Sequence, residues 1–231
     1  QIDVETGEIH GYEALMRLKN TKVSPAQFIP IAEETGQIIK IDRILTEKVV
    51  RQMAEWREHG IPLYKVSINY SYSQVSDVHY VDFLEELLKR YNIPPELICI
   101  EITESLFISN KEAVSKLLNE FVKRGISLAL DDFGTGYSSL SYLTFLPINV
   151  VKIDKSLVDN YLSNEKGDFI KNIVRLVHSL AMKLTVEGVE HQWQNEKLKT
   201  FHCDYIQGYY YSKPISGAEI EDFNRKFRSI G

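Results

Sequence analysis

A chain of 231 residues with 44% hydrophobic side chains has enough apolar material for one barrel-sized domain or two small ones. Its 27 basic and 32 acidic side chains leave a net charge of −5. That excludes the basic face of a general nucleic-acid polymer binder but not a small anionic ligand held through metal ions. No apolar run reaches membrane-spanning length, no signal peptide is visible, and the six histidines form no H-x-x-x-H pair for zinc. Cys99 and Cys203 lack C-x-x-C spacing and read as buried free thiols of a reducing cytoplasm.

The sequence enters a strand pattern directly from Gln1, as a piece of a longer protein would. Residues 1 to 17 read as two strands around a turn at Thr6-Gly7, the second carrying Glu13 at its end and Arg17 beyond. Ser24 as N-cap and Pro25 in the first turn open a helix that stops at Gly36. A longer amphipathic helix runs from about Ile41 to His59, closed by Gly60. The strand YKVSINYS follows with Asn69 near its end, then an acidic helix from about Val78 to Tyr91, stopped by Pro94-Pro95. The strand LICIEITES places Glu101 at its end and Glu104 just beyond, and a helix from Lys111 to Lys123 ends at Gly125.

The run SLALDD then suits a buried strand, and it finishes on adjacent carboxylates, Asp131 and Asp132. Taken alone, such a pair is most simply a turn cap. If buried, the two repel each other and need compensation, which a divalent cation commonly provides; oxygen-only ligands favour Mg²⁺, Mn²⁺ or Ca²⁺ over zinc. A short helix from Ser138 to Leu146 ends at Pro147, and the strand NVVKID carries Lys152. A helix from Asp168 to Ala181 leads to the strand KLTVEGVE, with Glu187 at its end. A short helix from about Trp193 to Phe201 precedes the strand DYIQGYYYSKP, which holds Gln207 and three tyrosines read as strand packing. A last amphipathic helix starts after Ser216.

Short apolar strands alternating with helices of about a dozen residues are the pattern of a parallel α/β sheet. About eight strands in this length favour closure, so the expectation is one domain over 1–231, a TIM-like (β/α)8 barrel. The tight turn joining the first two strands requires one of them to run antiparallel. In such a barrel all strand C-termini open on one face. Singly, Asn69 reads as a turn former, Glu101 as a surface carboxylate, Lys152 as solvated and Gln207 as a loop amide. Their common position at strand ends argues for a site. Five carboxylates in one mouth, Glu13, Glu101, Asp131, Asp132 and Glu187, need cations to stay ionised. Oxygen ligation with room for two ions points to metal-assisted hydrolysis of a phosphate ester.

In this order, YEALMR, SINYS, EITES, DDFGTGYSSL, VKIDKS, VEGVE and YIQGYYYSKP resemble the signature of EAL domains, bacterial phosphodiesterases that linearise cyclic di-GMP. The resemblance covers nearly the whole chain. It implies two Mg²⁺ or Mn²⁺ ions, with Glu13, Asn69, Glu101 and Asp131 holding the first. Asp131 and Asp132 would hold the second, helped by Glu187 and Gln207 through its waters. It further implies Lys152 as the group orienting the attacking water, Glu187 as general base and Glu104 as the anchor of the loop Phe133 to Ser139. Arg17 would grip a substrate phosphate, with Leu15 and Pro214 beside a guanine. A cytoplasmic, homodimeric domain is implied, joined to sensory or GGDEF-type domains in a longer protein that can be membrane-attached. The family's Tyr-x-Pro strand ahead of Gln1 is not in this chain, so the first strand reads as shortened. Leu18 and the short KNTKV segment stand where the family commonly has Trp and a longer loop, and His191 where Thr is frequent.

Two other readings compete. A cyclic di-GMP sensor that does not cleave its ligand would usually have lost metal ligands or the loop glutamate, and this chain keeps them all. A metal-free barrel glycosidase needs one carboxylate pair and would leave Asn69, Lys152 and the remaining acids without a task.

Overall fold

Alternation along each strand separates two classes of side chain, and that separation builds the barrel. In Ile98–Thr103 (β4), Ile98, Ile100 and Ile102 are fully buried in the apolar cluster shared with the helices, while Cys99 and Glu101 belong to the other face. The same split recurs in Lys65–Tyr70 (β3), Ser127–Phe133 (β5), Val150–Ile153 (β6) and Lys183–Val186 (β7). Val66, Ile68, Leu128, Leu130, Val151, Ile153, Leu184 and Val186 join the apolar cluster, and Ser67, Ala129, Lys152 and Thr185 lie on the alternate face. The bore is therefore lined by small and polar side chains, where barrels of this kind more often carry bulky branched ones.

The computed structural model describes residues 1–19, 21–107, 111–134, 140–163 and 168–228, without the side chains of 140–142 and 228. Its eight-stranded sheet is completed by Ile2–Asp3 (β1), Gly11–Ala14 (β2) and Tyr205–Ile206 (β8), in the order β1-β8-β7-β6-β5-β4-β3-β2. Neighbours pair in parallel except β1 with β8. The expected antiparallel strand is thus β1. Gly7, at φ 73°, turns the chain so that an Ile2–Ile9 bridge and the Gln1–Gly11 hydrogen bonds draw the two ends of the sheet together into a nearly closed barrel.

Helices Pro25–Glu34 (α1), Ile38–Glu58 (α2), Tyr80–Tyr91 (α3), Lys111–Lys123 (α4) and Leu140–Phe145 (α5) fall within a few residues of expectation. Lys155–Tyr161 (α6) was not expected; its signal is Asp154, whose carboxylate accepts from Ser156 N–H as an N-cap. Asp168–Ser179 (α7), Gln192–Thr200 (α8) and Ile220–Arg228 (α9) complete the set. No helix among the described residues is long and apolar enough to cross a membrane.

One strand differs from its reading. The run DYIQGYYYSKP is a strand only at Tyr205–Ile206; just beyond it Gly208 lies so close to the Val189 backbone that a side chain there would not fit. The chain instead turns against Val189, through Val189 N–H to Gln207 O and Tyr210 N–H to Val189 O. Tyr209 is consequently 57% exposed at the rim and is not packed in a strand. Cys99 and Cys203 are buried free thiols, as expected.

Candidate active site

Lys152 is the centre of the mouth. It comes from β6, is 1% exposed, and its ammonium reaches four carboxylates on four other strands or strand ends. Nζ lies 2.6 Å from Glu101, 2.7 Å from Glu187, 3.2 Å from Asp131 and 3.5 Å from Glu13. Burial alone would push this amine down, but Glu101, Glu13, Glu187 and Asp131 reverse that and raise it well above its ordinary value. The ammonium is therefore permanent at neutral pH.

Each carboxylate is placed by its strand. Glu13 sits in β2, where its two oxygens accept from Asn69 Nδ2 at 3.0 Å and Gln207 Nε2 at 2.6 Å. Burial disfavours its charge, yet Lys152 and those two amides hold it below the usual carboxylate range. Glu101, 1% exposed in β4, is pushed up to about 8 by burial, an increase that Lys152 opposes and Glu13 reinforces. Glu187 follows β7 directly and is raised to about 7, again chiefly by burial.

Asp131 and Asp132 show what tertiary structure adds. Consecutive residues of a regular strand point to opposite faces. Here β5 carries a register shift between Leu130 and Phe133, and Asp132 takes a left-handed φ of 54°. Both carboxylates can then serve the mouth: Asp131 contacts Lys152 and is 8% exposed, while Asp132 is solvent-facing. Burial and the neighbouring Asp131 raise Asp132 to about 6.

A cavity of about 990 Å³ opens beside this cluster and touches it at Glu13, Glu187 and Gln207. Leu15, Arg17 and Pro214 line the same cavity, so all three expected ligand contacts share one space with the acids. Arg17 is exposed there, and Nη1 donates to the Met16 carbonyl. Glu104 stands just past β4, but its expected partner loop lies mostly outside the described residues. Lys155 and Glu190, paired at 3.2 Å, also line the cavity and were not picked out from the sequence. Their signal was positional only: each lies three residues past an identified site residue, Lys152 or Glu187.

The donor set fits divalent cations of the magnesium class, being carboxylate and amide oxygens. Glu101 Oε1 and Gln207 Oε1 are buried without a hydrogen-bond partner, as oxygens reserved for a cation would be. Among the described residues, no three acidic, histidine or cysteine side chains already converge on one metal-sized point.

The model of the EAL domain family matches residues 1–214. The chain belongs to the EAL domain family. This EAL domain is 37% identical over 224 residues to the oxygen sensor protein DosP of Escherichia coli, covering 95% of this chain and 28% of DosP. It is 31% identical over 226 residues to the cyclic di-GMP phosphodiesterase NbdA of Pseudomonas aeruginosa, covering 96% of this chain and 29% of NbdA. The chain thus spans under a third of either protein's length. Among solved structures, the PaMucR phosphodiesterase in complex with c-di-GMP superposes with a TM-score of 0.87 at 31% identity, covering 95% of this chain and 90% of that one.

Proposed function

We propose that this EAL domain hydrolyses cyclic di-GMP to linear 5′-pGpG with the help of two Mg²⁺ or Mn²⁺ ions. The single observation that carries this reading is the convergence of Glu13, Glu101, Asp131 and Glu187 on one buried lysine beside a cavity of about 990 Å³. NbdA, named as a cyclic di-GMP phosphodiesterase, and the related phosphodiesterase structure containing c-di-GMP support it.

Glu13, Asn69, Glu101 and Asp131 would hold one ion, and Asp131 with Asp132 the other, assisted by Glu187 and Gln207. When bound, such ions lower the pKa of water and offset charge on the attacking and leaving oxygens. The residues do the remaining work. Asn69 and Gln207 fix the Glu13 carboxylate in one orientation by donating to both of its oxygens. Glu187 takes the proton of the attacking water as general base. Water then attacks phosphorus in line and the 3′-oxygen departs. Lys152 orients the water and offsets the negative charge that develops. Arg17 pairs with a substrate phosphate at the cavity edge, where Leu15 and Pro214 offer apolar surface to a guanine. Glu104 is assigned to hold the loop that follows Phe133.

The same proposal places the domain within a longer cytoplasmic or membrane-attached signalling protein, under sensory or GGDEF-type neighbours. It also pairs the domain through the segment around α5, where Phe145 is 52% exposed. Light scattering should show a dimer as concentration rises, and a monomer throughout removes that part. The activity is tested by incubation with cyclic di-GMP, with and without Mg²⁺, followed by chromatography. Metal-dependent appearance of pGpG is expected. Ligand bound but uncleaved in the presence of metal would leave a sensor in place of an enzyme.

A further inference from the structure

An ammonium has three N–H donors. Four carboxylates stand within 3.5 Å of Lys152 Nζ. A lysine whose only task was to orient water would need a donor free for it, and this one has more carboxylates within 3.5 Å than it has donors. The four acids come from β2, β4, β5 and the end of β7, so Lys152 on β6 ties four other segments of the barrel together. Glu13 and Glu187 are partly open to the cavity, but Glu101 and Lys152 are each 1% exposed, too deep for water to screen them.

We propose that Lys152 is the resident counter-cation of the metal-free site, holding Glu13, Glu101, Asp131 and Glu187 together until divalent ions take over as their partners. This rests on reading those carboxylates as metal ligands. It adds a positioning role to the lysine: the acids are gathered in advance, at the cost of a positive charge that incoming ions must work against. As ions occupy the carboxylates, the donors of Lys152 are released toward water and substrate. Metal entry and availability of the lysine are then one event, and the lysine is withheld from substrate when the ions are absent.

The test compares the wild-type domain with Lys152→Gln and Lys152→Met, which remove the charge and keep most of the side-chain length. Thermal unfolding is followed without metal and in saturating Mn²⁺, and Mn²⁺ binding is measured by calorimetry. Without metal, both variants should melt clearly below the wild type; with Mn²⁺ that gap should close. Mn²⁺ should also bind the variants more tightly, by about tenfold, because the competing cation is gone. Folding only when Mn²⁺ is present would be the extreme form of the same result. A deficit of equal size with and without Mn²⁺, including failure to fold in both, overturns the proposal and leaves a packing role. Equal Mn²⁺ affinity in variant and wild type also overturns it. A wild type that binds no Mn²⁺ at all defeats the metal reading itself, and this inference with it.

Discussion

The two ends of the barrel treat their carboxylates in opposite ways. Before β8, at the end away from the mouth, Asp204 is fully matched. His178 Nε2 lies at 2.7 Å, Lys183 Nζ at 2.6 Å, and the Leu184 N–H donates at 2.9 Å. At the mouth, four carboxylates share a single ammonium, and Glu101 keeps a buried oxygen unpartnered. One end spends its charges on holding helix α7 and strands β7 and β8 in place. The other gathers four carboxylates around one ammonium, an excess of acids that the proposed divalent ions would balance. On the proposed function, stability and catalysis are thereby separated along one axis of the fold.

The largest expected effect is at the mouth. Glu13→Ala or Asp131→Asn should reduce cyclic di-GMP hydrolysis by about a thousandfold in a Mg²⁺ or Mn²⁺ assay, while circular dichroism stays native. Wild-type turnover in either variant would erase the contrast between the two ends.

Asp204→Ala should do the reverse. It strands the Lys183 ammonium, the His178 ring nitrogen and the Leu184 N–H, so stability by urea unfolding should fall by roughly 1–3 kcal/mol, with turnover per folded molecule unchanged. The pH dependence has a definite sign. Burial pushes the Asp204 carboxyl up, but Lys183, the Leu184 N–H and His178 outweigh it and hold it below the usual range. A depressed carboxyl stabilises above its unfolded value, about 3.9, and loses that contribution as pH falls through the folded value. The acid loss of stability should be shallower in Asp204→Ala, and an unchanged slope below about pH 4 would remove Asp204 from the argument.

Asp42 sharpens the comparison, because it is a buried carboxylate with no ammonium assigned to it. It is 5% exposed in α2, Oδ2 has no hydrogen-bond partner, and burial with Glu33 nearby raises it to about 7. A raised carboxyl favours the fold at low pH, and that contribution is lost as pH rises from about 4 through about 7. Asp42→Asn should therefore stabilise the domain at pH 8 by about 1–3 kcal/mol and leave it nearly unchanged at pH 4. Equal effects at both values would mean the residue is not ionising there.

The smallest expected effect tests how tightly the C-terminal helix supports the mouth. Asn224 on α9 accepts a hydrogen bond from the Tyr12 hydroxyl, one residue from Glu13. Tyr12→Phe should cost about 1 kcal/mol and change hydrolysis less than twofold. A large loss of kcat at unchanged stability would show that α9 sets the position of Glu13.

Most of the architecture was legible because it depends on local rules. Lys111–Lys123 coincides with its reading, since a 3.6-residue apolar period and a following glycine mark a helix whatever surrounds it. The hairpin at Thr6-Gly7 announced an antiparallel strand for the same kind of reason. Legibility failed where a distant backbone decided the outcome. The tyrosines after Gly208 carry strand composition, but there the chain turns against Val189, held by hydrogen bonds to its N–H and carbonyl.

The site divides in the same way. Alternation of strands and helices, with a polar residue near each strand end, was enough to place Glu13, Asn69, Glu101, Asp131, Lys152, Glu187 and Gln207 at one mouth. That pattern is written in spacing, and spacing survives without coordinates. Only the assembled barrel could show that β5 shifts register at Asp132, which takes a left-handed φ, and that Lys152 stands among four acids from four different segments. Distances between residues on separate strands are set by register and closure, and charge balance follows from those distances.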